Sequence, residues 1–210
     1  MNHPGTEIAA YQYHCIFAFH IEDYNLARRI YQRGLDQSKN LHNVENWKII
    51  RGYLQLLSNV GKITIENKIS AAKFANDFEL FSKDKRGSNA QIVLIWFLLA
   101  LTEGKKEVLV EKFESIRNYK KKYLANEENS RMNSFFQILL NAIIYNFDIE
   151  QIKGTSREEI DQLLFNPNKP NDDIKGEIML IESLYSDILM EYLIIELGQK
   201  AKQFQKHSSQ

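Results

Sequence analysis

Cysteine is nearly missing from this chain, which has one, Cys15, and only three prolines among its 210 residues. A lone thiol excludes an intrachain disulfide and a thiolate zinc cage, and leaves the redox compartment open with a lean to the cytoplasm. So little proline suits long helices better than a turn-rich β architecture. An excess of one charge is missing too: 27 Lys and Arg stand against 27 Asp and Glu, a net charge of zero. Global attraction to nucleic acid or to an anionic membrane is thereby excluded, and any electrostatic argument must be local. No apolar run approaches the roughly 20 residues of a membrane span.

Signatures of common chemistry are also wanting. There is no phosphate-binding glycine loop, no Gly-x-Ser-x-Gly elbow and no His-Glu-x-x-His. His14 and Cys15 are adjacent and diverge by about 100° on a helix, which suits packing better than a nucleophile and its base. His20 with Asp23 lacks a third ligand for zinc. The expectation is therefore no catalytic residue, no metal and no cofactor. At the N-terminus, Met1 to Gly5 carries no Lys or Arg, and the next apolar stretch is interrupted by Tyr11, Gln12, Tyr13 and His14. Neither the basic nor the apolar part of a secretion signal is present, and a cytoplasmic location is expected.

What is present is helical periodicity. The run Ala90 to Leu101 has a single polar residue, Gln91, and stops at Thr102-Glu103-Gly104; a helix with no wet face must be enclosed by other helices. Around it the spacing predicts helices from Thr6 with Ile8, Tyr11, Cys15, Ala18 and Phe19 inward, and from an Asp23 cap with Leu26, Ala27, Ile30, Tyr31 and Leu35 inward, forming a hairpin. Further helices are expected over Val44 to Val60, Ile65 to Phe78, Lys106 to Leu124 and Glu127 to Phe147. A short one near Ser156 to Phe165 and a long last one, Ile174 to Leu197, complete the set. Ser82 to Gly87 and Asn166 to Asn171 read as loops. The acidic pairs Glu127-Glu128, Glu158-Glu159 and Asp172-Asp173 suit helix N-termini. One domain over 1–198 is expected, with a polar, disordered tail at 199–210.

The first hairpin comes near the tetratricopeptide pattern, with Tyr11, Cys15, Ala27 and Tyr31 at the aromatic, small, alanine and aromatic positions. From Phe81 onward, the segments Phe81-Ser82-Lys83-Asp84-Lys85-Arg86-Gly87-Ser88-Asn89, Arg117-Asn118-Tyr119 and Arg131-Met132-Asn133-Ser134-Phe135-Phe136 resemble a group of bacterial hypothetical proteins with tetratricopeptide-like repeats. The resemblance spans roughly residues 44 to 195 and departs near the C-terminus, where Glu177 to Glu182 has no proline. It implies an all-α fold of antiparallel hairpins stacked as a right-handed α-solenoid, a scaffold role, and no catalytic residue.

Two functional expectations follow. In the first, the concave face of the stack binds a protein or peptide partner through Tyr13, His20, Tyr53 and Gln137. In the second, nucleic acid or another acidic partner meets a basic face drawn from residues 83–122, with Lys85, Arg86, Arg117, Lys120 and Lys121 at its centre. Glu103, Glu107, Glu111 and Glu114 are interleaved there and would offset it. The broad apolar stripe of the last helix, through Leu184, Tyr185, Ile188 and Tyr192, either closes the stack or docks a second copy as a homodimer.

Overall fold

Helix-favouring periodicity, few prolines and glycines at the joints give a chain that is all-helical among its described residues, with no strand. The computed structural model describes residues 4–37, 41, 44–78, 80, 81, 88–125, 130–165, 179 and 181–196. The loop at 82–87 with Lys85 and Arg86, the acidic pairs at 127–128 and 172–173, the breaker run at 166–171 and the tail at 199–210 lie outside them. Two compact units result: Met1–Val108 with Ile174–Leu180, and Leu109–Asp173 with Ile181–Gln210. No linker in the sequence marks that division. Among the described residues no helix is long and apolar enough to cross a membrane.

The first unit begins with α1 (Pro4–His20) and α2 (Tyr24–Gln37). Thr6 lies inside α1, because Pro4, whose fixed φ suits a first helical position, starts the helix earlier. Asp23 does cap α2, its Oδ1 accepting from the Leu26 amide at 2.8 Å. The two helices form a hairpin and meet at small residues: Cys15 and Ala27 are both fully buried, and the Cys15 thiol donates to the Ala27 carbonyl at 3.6 Å. Helix α3 (Glu45–Asn59) packs on both, stacking Tyr53 against Phe19 of α1 (6.0 Å) and Trp47 against Tyr31 of α2 (5.2 Å).

Gly61 (φ 81°) ends the turn after α3, and the chain then runs to Ser70 without helix or strand, bending at 62–63 and 66–67. A helix from Ile65 was expected here. Three consecutive β-branched residues, Ile63-Thr64-Ile65, disfavour it, and helix begins only after Ser70, whose Oγ accepts from the Lys73 amide to cap α4 (Ala71–Asn76). Helix α5 (Ser88–Thr102) follows, and residues 89–101 are buried without exception. The apolar run thus lies dry on every face, against α3 and α4. The buried Gln91 accepts from the Tyr53 hydroxyl at 3.1 Å.

The division between the units falls within α6 (Lys106–Glu111). The single helix expected over Lys106 to Leu124 is broken, because at Lys112 the backbone leaves helical geometry (φ −92°, ψ 3°) before α7 (Phe113–Tyr123) starts. In the second unit α8 (Ser130–Ile144) is central. It meets α7 through Tyr119 and Phe136 (5.9 Å) and the last helix through Phe135 and Tyr185 (6.4 Å, edge-on). Asp148 caps α9 (Ile149–Thr155), and α10 (Arg157–Phe165) opens on Glu158 and Glu159 as the dipole favours. Polar pairs fix both to α8: Asn141 donates to the buried Ser156, and the buried Ser134 to the exposed Gln162, each at 2.8 Å.

The last helix starts as α11 (Ile181–Ser183), widens to a π-helix over Leu184–Met190 and is α-helical again at 191–196. Leu184, Ile188 and Leu189 are fully buried and Tyr185 nearly so, while the exposed large apolar residues among the described part of this helix are Ile194 and Ile195.

Candidate functional site

One concavity of the first unit is not announced by the sequence pattern. Helices α2 and α3, the irregular segment 61–70 and the start of α4 border a cleft of about 790 Å³, a size usual for ligand sites. From α2 come Arg28, Arg29, Tyr31, Gln32 and Leu35; from α3, Arg51 and Leu54. The irregular segment supplies Thr64 to Lys68, and α4 adds Lys73. Five cationic side chains thus line the cleft against one carboxylate, Glu66.

The irregular segment is a strap laid across α2 and α3. Ile63 and Ile69 are buried and pin its two ends, and the Ile69 amide donates to the buried Gln55 Oε1 at 2.7 Å. Just beyond it, the Ala71 amide donates to Glu103 of α5 at 2.7 Å. Between the pins the strap is held by arginines: Arg28 donates to the Thr64 carbonyl at 3.0 Å and Arg51 to the Asn67 carbonyl at 3.5 Å. Each guanidinium is thereby oriented while most of its five donors remain uncommitted to the strap. Among the described residues, none of the five cations has a carboxylate partner within ion-pair distance.

Tyr31 is buried in the cleft wall, and burial pushes its phenol up to about 12, against the opposing pull of Arg51. It stays a neutral hydrogen-bond donor and adds no competing charge. Behind it the fully buried Trp47 packs on Gly34, where a Cβ would overlap the indole ring; glycine is what lets α2 and α3 come this close. The Trp47 Nε1 is buried without a partner among the described residues.

Of the expected concave-face residues, Tyr13, His20 and Tyr53 belong to the first unit and Gln137 to the second. Tyr53 is wholly buried between Phe19 and Gln91, so it is a core residue with no surface for a partner. Tyr13 is 70 % exposed on α1 and forms an outward stripe with Phe17 and Ile21 at i, i+4 and i+8. His20 is half-buried at the end of α1. Gln137, half-buried on α8 of the other unit, donates to Asn141 at 3.0 Å.

Of the expected basic face, Lys85 and Arg86 lie outside the described residues, and two of the other cations have carboxylate partners. Arg117 pairs with Glu114 at 3.3 Å and Lys105 with Glu103 at 2.6 Å. Burial lowers the Lys120 pKa while the nearby Glu159 raises it, Lys122 lies over the Tyr123 ring, and Lys121 is exposed. Among the described residues no group of three His, Cys, Asp or Glu is placed to hold a metal.

Sequence spacing hid the cleft because its cations are spread over residues 28–73. One signal was available: Arg28, Arg29 and Arg51 have no acidic residue three or four positions away, whereas Arg117 has Glu114. Helical arginines without such neighbours are free to serve something else. Compared with protein-family models, curated proteins and solved structures, the chain finds no match.

Proposed function

We propose that the chain is a non-catalytic cytoplasmic interaction protein, a right-handed tetratricopeptide-like stack of helical hairpins, whose cleft in the first unit takes an acidic segment of a protein partner. The observation that carries this reading is the set of five cations, unpaired with carboxylates among the described residues, around a 790 Å³ cleft that holds a single carboxylate. Like charges gathered so closely repel one another, and an anionic partner relieves that repulsion. The stacking is supported by α3 seating on both helices of the first hairpin, with Cys15, Ala27 and Gly34 as the small residues of close approach. Extended peptide segments are a usual ligand of such stacks.

A basic cleft of this kind also steers its partner electrostatically, so binding falls as salt rises. Fluorescence anisotropy with a labelled glutamate-rich peptide tests the proposal. Arg29→Glu and Lys68→Glu change exposed side chains and preserve the fold; together they should weaken binding at least about tenfold, roughly 1.4 kcal/mol. Equal binding of a lysine-rich peptide, or of the wild type and the doubly reversed variant, would overturn the reading.

A further inference from the structure

The charge in the cleft exceeds what a carboxylate needs. Three arginines and two lysines face it against Glu66 alone, whereas an acidic side chain brings a single negative charge and meets at most one bidentate guanidinium well. Arg28 and Arg51 reach in from different helices, and each is oriented by a strap carbonyl, Thr64 and Asn67 respectively. Two guanidinium forks that line one cleft, each held by a carbonyl of the strap, suit a tetrahedral dianion with three acceptor oxygens. The rest of the cleft suits what such a group hangs from: Leu35, Leu54 and Ile65 give an apolar wall.

From these residues we infer that the cleft recognises a phosphomonoester dianion, carried on a phosphorylated side chain of the protein partner. Arg28 and Arg51 grip the phosphate oxygens, Arg29, Lys68 and Lys73 supply the surrounding positive potential, and Leu35, Leu54 and Ile65 receive the adjoining chain. This rests on the reading of the cleft as a binding site for an acidic protein segment and narrows it to one chemistry. Because the guanidiniums that grip the phosphate also hold the strap, occupancy alters the bonds to the Thr64 and Asn67 carbonyls.

Three matched labelled peptides test it on the full chain: one with phosphoserine, one with serine and one with glutamate at the same position. The phosphoserine peptide should bind at least about tenfold tighter than the glutamate peptide, and inorganic phosphate should compete. Arg28→Lys and Arg51→Lys keep the charge and lose the fork, so each should erode the preference for phosphoserine over glutamate while far-ultraviolet circular dichroism stays unchanged. If either lysine variant misfolds, Arg29→Glu with Lys68→Glu should still reduce phosphopeptide binding. A glutamate peptide that binds as tightly as the phosphopeptide overturns this inference and leaves the acidic-segment reading standing. A chain that binds none of the three peptides and no adenosine monophosphate overturns both. Adenosine monophosphate, run alone, separates the sources: binding it while ignoring the phosphopeptide sustains phosphomonoester recognition and removes the protein partner.

Discussion

Gly52 of α3 faces Ile95 of α5 so closely that a Cβ built on Gly52 would stand 2.7 Å from Ile95 Cγ2 and 2.8 Å from Phe74 Cε2 of α4. The apolar helix is reached at this point through the absence of a side chain. Gly52→Ala should therefore destabilise the protein by about 1–3 kcal/mol through overpacking, although alanine is the better helix former. Gly154 in α9 has nothing within 4 Å of a built Cβ, so Gly154→Ala should stabilise by about 0.4–1 kcal/mol. Urea midpoints of opposite sign are the check.

Trp96, on the same helix as Ile95, is 4 % exposed and meets Phe81 edge-on at 5.9 Å. Its truncation to alanine should cost about 3–5 kcal/mol. The exposed Lys121→Ala should change stability by less than about 0.5 kcal/mol. Denaturant unfolding of the two variants compares them directly.

In the second unit, Arg131 of α8 makes a two-pronged ion pair with Glu182, its Nε donating to Oε1 at 3.0 Å and its Nη2 to Oε2. The Arg131 side chain is 11 % exposed, against 60 % for Arg117 in its pair with Glu114. Arg131→Ala should cost about 1–3 kcal/mol by leaving a partly buried carboxylate unpaired, and Arg117→Ala about 0–1 kcal/mol. Thermal unfolding of the two variants separates these expectations.

The alkaline limb of stability is set by groups that the fold keeps neutral. Burial pushes the Cys15 thiol from 9.0 up to about 12, and the Tyr31 and Tyr192 phenols from 10.0 up to about 12. Each folded value is raised, so the unfolded chain loses these protons first; the stability they confer is complete below pH 9.0 and is lost as pH climbs from there toward about 12. Cys15→Ala should remove the part of the decline that begins near pH 9.0. The native thiol should also resist Ellman's reagent at neutral pH and react only on unfolding, because so little thiolate forms.

Much of the fold was legible because burial follows period. The run at 90–101 reads as enclosed and is, the Asp23 cap and the first hairpin stand as the spacing predicts, and α8 carries its apolar residues inward except Ile144 at its end, which is exposed. The misreadings share a cause. The chain at 61–70 contains enough apolar residues to look helical, yet consecutive β-branching and a serine cap at Ser70 delay the helix to Ala71. Tyr53 looked like a face residue because its polar hydroxyl hid a buried partner, Gln91, 38 residues away. The cleft was hidden for the same reason: Arg28, Arg51 and Lys73 converge only once α2, α3 and the strap have packed, and no local pattern records that.

Reversing charge on both sides of the cleft tests the central claim most directly. With Arg29→Glu and Lys68→Glu in place, three cations face three carboxylates in the cleft, so the glutamate-rich peptide should lose at least about tenfold in affinity while a lysine-rich peptide of the same length loses none. If the reversed protein binds both peptides as the wild type does, the cleft between α2, α3 and the strap is not the binding surface.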